Sequence, residues 1–166
     1  GQSVPLVPPF GAVFVAWDET ASAQWLARAG KPSSERKPEQ WGKLLETIRR
    51  QGYSVSLADD RGSVPQADFD DLLTTADAEE ARRRRDELVG MMQHGEYLAG
   101  EIDDNAVVRL TQISAPVFDA TGRAAASLML LGPQRELTGK ELNVLAQQVA
   151  ESARRAGRLA GGGNNA

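Results

Sequence analysis

Two long apolar runs lie close together in the last third of the chain. Ile113–Phe118 and Ala124–Leu131 are both almost entirely apolar, with Asp119-Ala-Thr-Gly122 between them. An aspartate can hydrogen-bond its own backbone and a glycine accepts a positive φ, so these four residues make a turn. Two such runs joined by such a turn predict a β-hairpin. The second run has no regular polar positions, which predicts cover on both of its faces. Upstream, Ala106–Thr111 extends into the hairpin, with Val108, Leu110 and Gln112 pointing one way and Val107, Arg109 and Thr111 the other.

Helical spacing is clearest in two places. Trp41, Leu44, Leu45 and Ile48 fall on one helix face, with Pro38 in the first turn, Arg49 and Arg50 near the end and Gly52 as the stop. Thr138 with Glu141 is a capping box, after which Leu142, Leu145, Val149, Ala153, Ala156 and Leu159 form a stripe. Phe10–Trp17 fits a buried strand or a buried helical turn, which periodicity does not separate at this length. Asp18 or Thr20 caps a following helix through Trp25 and Leu26 to Ala29, with Gly30 as its stop. Tyr53–Leu57 alternates as a strand does, and Asp59–Gly62 is a turn. Pro65–Ala76 and Asp77–Gln93 read as helices, and Gly95–Asn105 as an acidic loop. Residues 1–9, with three prolines, read as an extended arm, and the glycine-rich residues 161–166 as a disordered tail. No repeat or boundary divides the chain, so residues 1–166 are expected to form one domain.

Composition narrows the function classes. The chain has 166 residues, 41% hydrophobic and 25% charged, which suits a globular domain with a real core. No stretch has the apolar length of a membrane span, and the start does not read as a secretion signal, so no membrane partner is expected. Cysteine is absent, which excludes disulfides, thiol nucleophiles and thiolate metal sites and fits a cytoplasmic location. Acidic residues outnumber basic ones, 23 to 19, the opposite of a domain that grips phosphates. The run Arg82–Arg85 is flanked by Glu79, Glu80, Asp86 and Glu87, so it reads as a neutralised, solvated helix face.

Candidate chemistry is sparse. The single histidine, His94, has no relay partner and reads as a helix-end cation. The pairs Asp59-Asp60, Asp70-Asp71 and Asp103-Asp104 diverge as neighbours must, and none has calcium-loop spacing. No nucleophile elbow, phosphate loop or dinucleotide fingerprint is present. The expectation is therefore no enzyme, no catalytic residue, no metal and no cofactor. An apolar pocket needs no motif. Met129 and Leu131 share one strand face, as do Leu110 and Gln112, and from pattern alone plain core is the better reading of them.

From about Val4 to Gly162 the order of elements resembles the effector-binding domain of the IclR family of bacterial transcription regulators. Ile113-Ser-Ala-Pro-Val-Phe-Asp119, then Gly122 and the apolar strand to Leu131-Gly132-Pro133, is similar to that family's signature hairpin. Pro5-Leu6 followed by Gly11–Trp17 is similar to its Pro-Leu and Gly-led apolar helix, and Leu45–Tyr53 to its helix ending in Gly-Tyr. The resemblance implies a GAF/profilin-like α+β fold, an antiparallel sheet with helices packed on its faces. It further implies an effector cleft lined by Gly11 and Ala12, by Leu110 and Gln112, and by Met129 and Leu131. In the family a carboxylate is often held by backbone N–H groups at that helix start.

Two departures from the family pattern stand out. Met129 and Leu131 replace small hydroxyl residues, so a hydrophobic or aromatic effector is expected rather than a small polar acid. The segment after Gly62 is longer than usual, and no pocket residue is carried over there. Nothing before Phe10 could form the family's winged helix. The chain is therefore expected to be the ligand-sensing and dimerisation domain of a longer regulator, pairing as a homodimer or dimer of dimers. It would touch DNA only through the absent N-terminal part. A free-standing interaction module without a small-molecule ligand is the alternative.

Overall fold

A computed structural model of the chain describes residues 6–28, 38–58 and 96–161. The helices expected over 65–93, the arginine run, His94, the Asp59–Gly62 turn, the Gly30 stop and residues 1–5 and 162–166 lie outside them.

Among the described residues three helices precede the first strand: α1 (Ala12–Val15), α2 (Glu19–Ala27) and α3 (Pro38–Gln51). Phe10–Trp17 thus resolves as a single helical turn. Residues 8–11 form a turn leading into it, so the expected arm is not extended throughout. Asp18 caps α2 by accepting the Ala21 N–H at 2.8 Å. Trp41, Leu44, Leu45 and Ile48 are buried as their spacing requires, and Gly52 follows α3 at φ 83.

The strands are β1 (Ser54–Ala58), β2 (Glu96–Ala99), β3 (Val107–Val108), β4 (Leu110–Phe118), β5 (Ala124–Leu131) and β6 (Leu137–Thr138), and α4 (Gly139–Leu159) closes the chain. Four strands form one antiparallel sheet in the order β2-β1-β4-β5. The hairpin forms as its turn chemistry demands. The Asp119 carboxylate accepts the Thr121 N–H and hydroxyl at 2.8 and 2.6 Å, and Gly122 sits at φ 78.

Helices cover both faces of this sheet. Val55, Leu57, Ile113 and Ala115 point to one face, where Leu142, Ala146, Val149, Ala150 and Ala153 of α4 meet them. The small residues let α4 lie close. On the other face Leu98 joins Ala12, Val15, Ala16, Trp25, Trp41 and Ile48 from the three N-terminal helices. The architecture is mixed α+β, an antiparallel sheet with helices packed against it.

Several expectations are corrected. Glu96–Ala99 is a strand on β1 rather than part of a loop, with Val55 opposite Ala99; Leu98 and Ala99 are both buried. Four residues are too few for a period to show. Ala106–Thr111 does not run straight into the hairpin, because Val107–Val108 pairs with β6 in a separate two-stranded sheet. β5, expected to be covered on both faces, is the edge strand, with Met129 and Leu131 exposed. Leu159 is 84% exposed, since seventeen steps of 100° carry it off the face that Leu142 defines. Ala146, Ala150 and Gly157 take up the buried stripe instead.

Two glycines stand in opposite surroundings. A Cβ at Gly132 would overlap the Leu110 carbonyl, which is backbone and cannot step aside. A Cβ at Gly42, inside α3, meets nothing within 4 Å. Urea denaturation should show Gly132→Ala destabilised by about 1–3 kcal/mol and Gly42→Ala stabilised by about 0.5–1 kcal/mol.

Two carboxylates hold the ends of this frame. The Thr121 hydroxyl, then the Arg123 and Thr121 backbone, lower the pKa of Asp119. The Thr138 backbone N–H, then Arg135 and the Thr138 hydroxyl, lower that of Glu141 in the expected capping box. A carboxylate whose folded pKa is depressed adds stability above its unfolded pKa, and that stability is lost as pH falls through the folded value. The urea midpoint should therefore fall from about pH 5 downward, and fall less in an Asp119→Asn/Glu141→Gln double variant.

Candidate functional site: a serine-floored cleft under the first helical turn

A sheet face covered by helices is ordinarily apolar. Here the face beneath α1 carries Ser54 and Ser56 from β1, Gln112 and Ser114 from β4, and Ser127 from β5. Ser54, Ser56 and Ser114 are buried. The roof above them cannot close tightly, and a cleft of about 110 Å³ remains. Its roof and walls are Pro9–Phe14, with Leu98 and Met129 at the sides.

The roof is held at its height from outside. The Trp25 indole N–H donates to the Phe10 carbonyl at 2.7 Å, and the Ser22 hydroxyl to the Val15 carbonyl at 2.7 Å. The Arg49 guanidinium donates to the Ala16 carbonyl. Trp25 is in turn braced edge-on by Trp41, ring centroids 5.7 Å apart. Gly11 starts α1 at φ 75, with Leu6 packed where a Cβ would stand, so no other residue fits there without strain. The Ala12 and Val13 N–H groups, in the first turn, have no acceptor within the helix.

The floor is only partly satisfied. The Ser54 hydroxyl reaches the Ser114 carbonyl at 3.5 Å, a long contact. Ser127 Oγ is buried, lies on the cleft face and has no hydrogen-bond partner among the described residues. A buried hydroxyl left unpaired is unfavourable unless something else completes it.

The six residues expected to line the cleft divide. Gly11, Ala12 and Gln112 line it, and Met129 stands at its mouth, 56% exposed. Leu110 does not: it is 3% exposed in the core beneath α4, on the opposite face from Gln112. The cause is a β-bulge. Ser56 faces Gln112 but Leu57 faces Leu110, so Thr111 is skipped and the alternation reverses. Leu131 shares the face of Met129 but lies beyond the roof, 66% exposed, and lines nothing.

Sequence reasoning missed the four serines, Phe10, Phe14 and Leu98. One signal was present: in Tyr53-Ser-Val-Ser-Leu57 and in Ser114 the off-core positions are small hydroxyls rather than charges, and serine tolerates a covered face where lysine or glutamate does not. Among the described residues no group of three or more His, Asp or Glu could hold a metal ion, and no helix is long and apolar enough to cross a membrane.

The site and fold together define a mixed α+β domain with a small, polar-floored cleft between one helical turn and an antiparallel sheet. No protein-family model, curated protein or solved structure matches the chain.

If the orphan hydroxyl awaits a ligand, it weakens the empty fold. Ser127→Ala should then raise stability, by up to about 1 kcal/mol, in urea denaturation without added ligand. A loss of stability would mean that the hydroxyl is paired within the chain.

Proposed function

We propose that this chain is the ligand-sensing, dimerising domain of an IclR-type bacterial transcription regulator with a GAF-like fold. The observation that carries this reading is the cleft, with its unpaired Ser127 hydroxyl beneath a braced helical turn. Its position between the Gly11 turn and the two hairpin strands agrees with the site implied by the resemblance of Ile113–Asp119 and Leu131–Pro133 to the family hairpin.

The effector has two parts in this reading. A polar head rests on the serine floor and Gln112, with the Ala12 and Val13 N–H groups as further donors. Since α1 is a single turn, these individual donors matter more than any helix dipole. An apolar body, short or aromatic, leaves past Phe10, Phe14 and Met129. The cleft is smaller than the cavity of about 150 Å³ that takes up a benzene ring, so the body projects from the mouth. The flexible Met129 side chain adapts to it.

Regulation follows from differential affinity. An effector that binds one arrangement of paired domains more tightly shifts the population toward it, and no further than that difference allows. Linked winged-helix heads then meet or miss their DNA half-sites. In this reading the domain performs no catalysis and needs no cofactor.

Calorimetric titration with acetate, butyrate, benzoate and phenylacetate tests the site. At least one acid with an apolar body should bind the wild type, and Met129→Asp, which sets a like charge at the mouth, should weaken it about ten-fold or more. Equal binding to both proteins, or binding of none, would overturn the assignment.

A further inference from the structure

We infer that β5 pairs with β5 of a second copy of this chain, antiparallel across a two-fold axis, joining two four-stranded sheets into one. The inference uses only the free edge of the sheet and does not rest on the reading of the cleft.

The register of β4 and β5 shows which backbone groups are free. Gly132 N–H donates to the Thr111 carbonyl at 2.8 Å, while Pro116, opposite Ser127, has no N–H to exchange. Antiparallel pairs alternate between bonded and non-bonded. Ile113–Leu130 and Ala115–Leu128 are therefore the bonded pairs. The N–H and C=O groups of Ser127, Met129 and Leu131 point to the outer edge, where no described strand receives them.

Sheet edges are commonly kept single by a charge, a proline, shortness or a bulge. This edge has only the last of these, a bulge at Ala125 confined to the turn end of β5. β5 is eight residues long, and no charged residue occurs from Ala124 to Gln134. β2, at the other end of the sheet, is four residues long and begins with Glu96. Leu128, Met129 and Leu131 are 38%, 56% and 66% exposed.

The residue order selects a second copy as the occupant. Ala124-Ala-Ala-Ser127 is small and Leu128-Met-Leu-Leu131 is large. Antiparallel pairing of two copies sets the small half of each against the large half of the other. Centred on Leu128, the two-fold axis puts Ser127 opposite the partner's Met129 and Ala125 opposite the partner's Leu131. Ser127, Met129 and Leu131 turn their free backbone groups toward the partner, while Ala125 is the extra residue of a bulge opposite Val117 and Phe118, which ends the regular ladder there. With no charge on the strand, no like pair meets across the axis, and the contact is self-complementary as two-fold symmetry requires.

Sedimentation equilibrium of the whole chain, joined to amide hydrogen exchange, tests this. The wild type should be a dimer at micromolar concentration, with the Ser127, Met129 and Leu131 amides protected, and that protection should fade on dilution. Leu131→Lys, outside the cleft lining, should raise the dimer dissociation constant by about ten-fold or more and expose those amides. Val107→Lys, at an exposed apolar residue on the small β3–β6 sheet, should leave both unchanged. Three results would overturn the inference. These are a monomer, a dimer whose β5 amides exchange freely or which Val107→Lys alone dissolves, and β5 amides that stay protected in the monomer.

Discussion

A hydroxyl taken out of water must find a partner, and an aliphatic roof offers none. That constraint shapes the second face of this sheet. Val55, Leu57, Ile113 and Ala115 let α4 seat directly on the first face. Ser54, Ser56, Ser114 and Ser127 on the opposite face forbid the same contact, so α1 spans them rather than packing into them. The gap persists because α1 and its flanks are tied to α2 and α3 through the carbonyls of Phe10, Val15 and Ala16, by Trp25, Ser22 and Arg49, and not through the floor below it.

β5 serves two surfaces at once. Ser127 and Met129 face the cleft, and the backbone groups of the same residues face the free edge. A shift of this strand that improved contact with a bound molecule would also move the edge proposed to meet a second copy. Cleft and pairing surface are thus adjacent in one element, the shortest route by which occupancy could bias the arrangement of two domains.

The last helix anchors the opposite side. Its capping box joins Thr138 and Glu141, while Asn143 donates to Asp104 at 2.9 Å and the Lys140 N–H to the Asp104 carbonyl at 3.0 Å. The Asp103-Asp104 pair thus fastens a loop to a helix start. Gly139 and Gly132 admit backbone where any side chain would collide, so the crossing from β5 to α4 has little freedom.

Local chemistry in the sequence determined the hairpin and its Asp119 turn, the α3 stripe and the capping box of the last helix, and narrowed the α2 cap to Asp18 or Thr20. Each depends on residues within a few positions of one another. It also carried Gly11, Ala12, Gln112 and Met129 to the cleft, through a resemblance rather than a pattern. Only tertiary structure decided that Phe10–Trp17 coils, that Glu96–Ala99 is a strand and that the most apolar strand lies at the edge, because strand order depends on distant partners. It alone moved Leu110 from the cleft to the core. One skipped residue at Thr111 reverses the two-residue period, and a bulge is set by what pairs across the sheet rather than by the strand that contains it.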